Sequence, residues 1–162
     1  MAIAVLAWVV AIPLLGGLTG LRTMTPMAVL CWFAYEGHLE VHRSWPYWTT
    51  RFAAAIIFTV LATAELIADK LPATPSRCAP FPLLARVVFG GLVGAIAATS
   101  LHGSAVEGIF LGSISSIAGA FLGFHLRQYL VKERGVPDLS VALSEDILAI
   151  GLSIIAMGIV TG

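Results

Sequence analysis

"AELIADKLPATPSR", running from Ala64 to Arg77, is the stretch on which the reading of the fold turns. It closes an apolar run that begins at Phe52 and is interrupted only by Thr59 and Thr63. Glu65, Asp69 and Lys70 follow, and then Pro72, a residue that helix interiors reject. Charge followed by proline is how a lipid-crossing helix leaves the membrane. Asp69, Lys70, Pro72 and Arg77 fit that description. Glu65 does not, because it lies one helical turn inside the apolar run.

Working outward, the whole chain is of this kind. Of its 162 residues 59% are hydrophobic and 11% charged, with a mean hydropathy of +0.96. Soluble domains carry about 25% charged residues. A chain this short cannot hide so much apolar surface from water, so its solvent is lipid. The formal net charge is zero and no basic stripe with interleaved aromatics occurs, which argues against nucleic acid. Cys31 and Cys78 form no CxxC pair and have no histidine at ligand spacing, so both are expected as free thiols. The first run, Ala2–Gly20, lacks a basic leading region and a cleavage site and reads as retained. No nucleophile–base motif, P-loop or dinucleotide fingerprint occurs. The chain is therefore expected to be no enzyme, with no cofactor beyond a bound cation or lipid.

Six hydrophobic segments follow one another: Ala2–Gly20, Met24–Tyr35, Thr50–Leu71, Pro82–Leu101, Ala105–Leu130 and Leu139–Val160. Crossing the hydrocarbon takes about 20 residues, which five of them reach or approach. The second is a half-helix or a span extended towards Val41. It opens at Pro26 after a break at Gly20-Leu21-Arg22-Thr23. The expected fold is an all-α membrane protein of six transmembrane or half-membrane helices in a single domain, 1–162. Loops one, three and five hold Arg22, Lys70, Arg77, Lys132 and Arg134, with Arg86 and Arg127 at their edges. The opposite loops hold Arg43 and Arg51. Seven against two puts the odd loops in the cytoplasm of a bacterial inner membrane and both termini outside. Trp32, Phe33, Tyr35, Trp45, Tyr47 and Trp48 then form an outer aromatic belt. Three plus three segments raise the question of an inverted repeat, with halves 1–75 and 81–162. Its trace is the pair of glycine pentads Gly16–Gly20 and Gly90–Gly94.

Segment four shows Arg86, Gly90, Gly94, Ala98 and His102 on one helical face. Segment five shows Gly108, Gly112, Ser116, Gly119, Gly123 and Arg127 on another. Such stripes admit a second backbone closely, within the chain or across a homodimer. The sharper alternative is a smooth wall lining a path.

Charge is concentrated at one level. Glu65 and Asp69 share a face, and Glu145 with Asp146 lies about two turns inside segment six. Counting from helix ends brings them near Arg22, Arg86 and Arg127, on the order of 8–10 Å from the cytoplasmic ends. Three uses are open. The groups form structural ion pairs, or Glu65, Asp69, Glu145 and Asp146 bind a cation or proton, or Arg22, Arg86 and Arg127 bind an anion or lipid phosphate. His102 and Glu107 read as an interfacial pair. Glu36, His38, Glu40 and His42 could hold a metal, although surface solvation is the plainer account.

"GLRTMTPMAVLCW", "ELIADKLPATPSR" and "VPDLSVALSEDILAIG" together resemble a family of small bacterial integral membrane proteins catalogued as domain of unknown function 4126. The matching positions are Gly20, Arg22 and Pro26, then Glu65, Asp69, Lys70, Pro72 and Arg77, then Glu145 and Asp146. The ExxxDKxP element is the most specific. The resemblance covers nearly the whole chain and implies a membrane protein in which these charged positions matter. It implies no activity. The functions expected are a small transporter or channel-like protein for a small solute or cation, a lipid-phosphate binding or flipping protein, or a non-transporting assembly subunit. Membrane lipids are the expected partners.

Overall fold

A computed structural model describes residues 5, 7–70 and 78–162. Leu71, Pro72 and Arg77, named above, lie outside the described residues, as do residues 2–4 and 6 of the first segment. Each of the six apolar segments becomes a helix, and the protein is an all-α membrane protein. Helix α1 spans Ile12–Leu21 and is entered through a π turn, Ala7–Ala11. Pro13 gives that wider turn a cause, since its ring lacks an N–H and crowds the carbonyl four residues back. Helix α2 is Thr25–Tyr35, with Pro26 in the first turn where its missing donor costs nothing. A 3₁₀ turn, Trp45–Thr50, leads to α3, Phe52–Ala68. Then come α4, Pro80–Ser100, α5, Ala105–Lys132, and α6, Asp138–Thr161.

Among the described residues α4, α5 and α6 are long and apolar enough to cross a bilayer, and Ala7–Leu21, Thr25–Tyr35 and Phe52–Ala68 are shorter apolar helices, as six transmembrane or half-membrane helices require. Geometry explains α1. The Trp8 ring covers Gly103, so the π turn begins level with the end of α4. At 1.5 Å per residue α4 is about 31 Å long and the run Ala7–Leu21 about 22 Å. The first run therefore stops roughly 9 Å short of the far end of α4. The chain turns back there through Arg22, Thr23 and Met24, inside the bundle.

Glycine makes the bundle tight. A Cβ on Gly94 would strike the backbone of Gly108, and one on Gly112 the backbone of Gly90, so α4 and α5 touch main chain to main chain. Helix α1 lies in the crevice they form. A Cβ on Gly16 would stand 2.6 Å from the Gly112 carbonyl, and Gly119 meets Gly17. Gly123 is buried on the same helix. The stripes thus serve packing within the chain, and the two glycine pentads both dock on α5. On the other side α2 pairs with α3 and with α6, and α6 also touches α1. The α1–α2 hairpin is the interior of the molecule: Ile12, Leu15, Met27, Leu30 and Cys31 are fully buried. Helices α3, α5 and α6 turn Ile57, Val60, Phe110, Leu122 and Ile147 outward, as lipid-facing helices do.

Candidate functional site

Two helix ends meet where the hairpin turns. The last carbonyls of α1 and the first amides of α2 have no partner within their own helices. Backbone left unmet at membrane depth costs several kcal/mol per group. Two side chains meet this need. Arg86, six residues past Pro80 on α4, donates from Nη1 to the carbonyls of Gly20 at 2.6 Å and Leu21 at 2.9 Å. Glu65 of α3 accepts from the amides of Thr23 and Met24, each at 2.8 Å, through its two oxygens. The cation sits at the negative end of one helix and the carboxylate at the positive end of the next. Arg86 Nη2 also stands 3.9 Å from Glu65 Oε1, so the two caps form a loose pair. Glu65 lies one turn inside its apolar run because that is the level of the break.

Arg22, the residue that ends α1, is fully buried. Its Nε donates to Asp146 Oδ1 at 2.7 Å, and its Nη2 reaches the same oxygen at 2.6 Å. Nη1 pairs with Asp69 Oδ2, and Nη2 stands 3.8 Å from Glu145 Oε2. Lys70 binds the other oxygen of Asp146 at 2.7 Å and the Leu66 carbonyl at 2.9 Å. Arg127 of α5 forks onto Asp138 at the start of α6, with bonds of 2.8 and 2.7 Å, and its Nη1 lies 3.8 Å from Glu145. One network therefore ties α1, α3, α5 and α6 together around the hairpin tip. A guanidinium suits this position, since its fixed fork can bind several carboxylates at once.

All four acids and three arginines singled out in the sequence belong to this assembly. Each acid meets a cation or a backbone donor. Asp69 and Lys70, which read as a plain helix end, are part of it. So is Asp138, eleven residues from Arg127 across a turn, where helical periodicity gives no hint. The carbonyls of Gly20 and Leu21 and the amides of Thr23 and Met24 have no signature of their own. The Gly20–Thr23 break followed by Pro26 was the available signal for them.

At the opposite end the expected pairing changes. His102 meets Glu40 at 3.4 Å rather than Glu107, whose amide closes the α5 cap on Ser104. The reason is local geometry. Leu101 ends α4, His102 takes a left-handed conformation with φ 57°, and Gly103 donates to the Ala98 carbonyl at 2.9 Å. This is a Schellman ending with histidine where glycine is usual. His38 lies 3.6 Å from Glu36. No group of three histidine, cysteine or acidic side chains is arranged to hold a metal among the described residues. Cys31 and Cys78 are free thiols.

A family model matches residues 5–159, from the approach to the π turn to the last turn of α6, and the chain belongs to that family, described as domain of unknown function (DUF4126). No curated protein and no solved structure matches the chain.

Proposed function

We propose that this protein is a small transporter or channel-like protein for a small solute or cation, coupled to protons through its intramembrane carboxylates. The observation that carries the proposal is the break between α1 and α2, buried in the bundle and held by Glu65 and Arg86. Discontinuous helices whose ends meet inside the membrane are a recurrent way of binding and moving solutes. Ionisable groups at such depth commonly form proton relays. In this reading Glu65, Asp69, Glu145 and Asp146 take the proton or cation, and Arg22, Arg86 and Arg127 set their charge state. A proton on Asp146 weakens its hold on Arg22 and Lys70 and loosens the hairpin tip. No step of the reading is catalytic. In the same reading the protein lies in a bacterial inner membrane with both termini outside, an orientation that the Lys and Arg bias supports. The 3+3 inverted repeat belongs to the same reading, with one glycine pentad in each half.

The test is proton flux into sealed vesicles that contain the pure protein and a trapped pH-sensitive dye, driven by a potassium diffusion potential. Flux above that of empty vesicles is expected for the wild type, falling to the empty-vesicle level in Asp146→Asn and Glu65→Gln. Equal flux in wild type and both variants, or none in the wild type, would overturn the proposal. The lipid-phosphate reading finds less support, since Arg22 and Arg86 are buried and engaged. The assembly-subunit reading relied on the glycine stripes, which are engaged within the chain.

A further inference from the structure

The end of α5 carries a groove bordered on one side by the Arg127–Asp138 pair of the hairpin-tip network. Phe124, Arg127, Gln128, Val131 and Lys132 line it, with Asp138 of α6 opposite, around a volume of about 210 Å³. Phe124, Gln128 and Val131 are three or four residues apart and share one helix face. The neighbouring surface of α5 turns Leu122, Leu126 and Tyr129 outward, so the groove opens on the side that lipid covers. Its walls divide into an apolar part, Phe124 and Val131, and a donor-rich part, Gln128 and Lys132.

Its charge is also unequal. Arg127 binds both oxygens of Asp138. Lys132 makes no ion pair among the described residues, and of the charged side chains that line the groove two are basic and one acidic. The N-terminus of α6 begins beside it and adds partial positive charge. A lysine in the last turn of a membrane-crossing helix stands at the level of the phosphate layer.

We propose that this groove binds one anionic phospholipid. The phosphate accepts from the Lys132 ammonium and the Gln128 amide, and the first methylenes of an acyl chain lie against Phe124 and Val131. A zwitterionic lipid brings its own cation to the same place and gains less from Lys132. The inference is independent of the transport reading.

The intact protein is placed in nanodiscs of phosphatidylcholine, with and without phosphatidylglycerol. Phosphatidylglycerol should raise the unfolding temperature, and native mass spectrometry should find one such lipid retained. Lys132→Gln, at an exposed position, should lose both effects and unfold like the wild type in pure phosphatidylcholine. Val131→Trp, which fills the apolar part without touching charge, should lower lipid retention. The proposal is overturned if the wild type gains nothing from phosphatidylglycerol. It is also overturned if Lys132→Gln and Val131→Trp keep the full gain, or if inorganic phosphate added to phosphatidylcholine discs reproduces it.

Discussion

Glu65 accepts two amide hydrogens at the hairpin tip, and that use dictates how its variants behave. Glu65→Gln keeps an oxygen but turns an NH₂ towards one of the two amides, which leaves a buried donor unmet. The expected cost is about 1–3 kcal/mol, read as an earlier thermal transition in lipid nanodiscs. Unchanged stability would separate Glu65 from the break. Arg22→Ala should cost more, about 3–5 kcal/mol, because Asp69 and Asp146 then remain charged and enclosed. Arg22→Lys should recover only part of this, since an ammonium has no planar fork to spread over the carboxylates. Counting residues from the helix ends was enough to bring Glu65, Glu145 and the arginines to one level. What Glu65 binds was not legible, because every residue but proline has an amide and no letter marks the two that lack a partner. Lys70 was hidden for another reason. A lysine beside a helix end and a proline already has a sufficient explanation.

At the scale of the helix, glycines of one composition do opposite things. Gly112 faces the Gly90 backbone, whereas Gly151 of α6 has open space where a Cβ would stand. Gly112→Ala should therefore push α4 and α5 apart, at about 1–3 kcal/mol or more. Gly151→Ala should be neutral or stabilise by up to about 1 kcal/mol, because alanine suits a helix interior better. Thermal unfolding of the two variants side by side checks both, and equal shifts would contradict the packing described for α5. The six helices were legible as apolar runs, with ends displaced by a few residues. The depth at which α1 ends relative to α4 was not, because hydropathy records that a segment prefers lipid but carries no measure of depth. The pentads at Gly16 and Gly90 look alike in sequence, and both pack on α5.

The molecule as a whole has two unlike ends. Trp8, His38, Glu40, Trp45, Thr99 and His102 gather at one, and the arginine–carboxylate pairs at the other. Cysteines introduced one at a time at Glu36 and Lys132, in a Cys78→Ser background that leaves only the buried Cys31, should react with an impermeant maleimide from opposite faces of sealed cells. The Lys and Arg bias predicts that Glu36→Cys labels before permeabilisation and Lys132→Cys only after it. Labelling of both from one face would overturn the up-and-down arrangement. The number of segments could be read from the chain. Which of them form the centre could not, because that depends on who meets whom across long separations. The buried hairpin also has a consequence for biosynthesis. Arg22 leaves the ribosome long before its partner Asp146, which lies 124 residues further along the chain. Until α3, α4 and α6 arrive, the tip of the first hairpin has no dry place to go. A newly made N-terminal half therefore carries Arg22 without Asp146. Truncation after α3 should therefore yield a product that the cell degrades rather than a stable half-protein, and pulse-chase labelling can follow that loss.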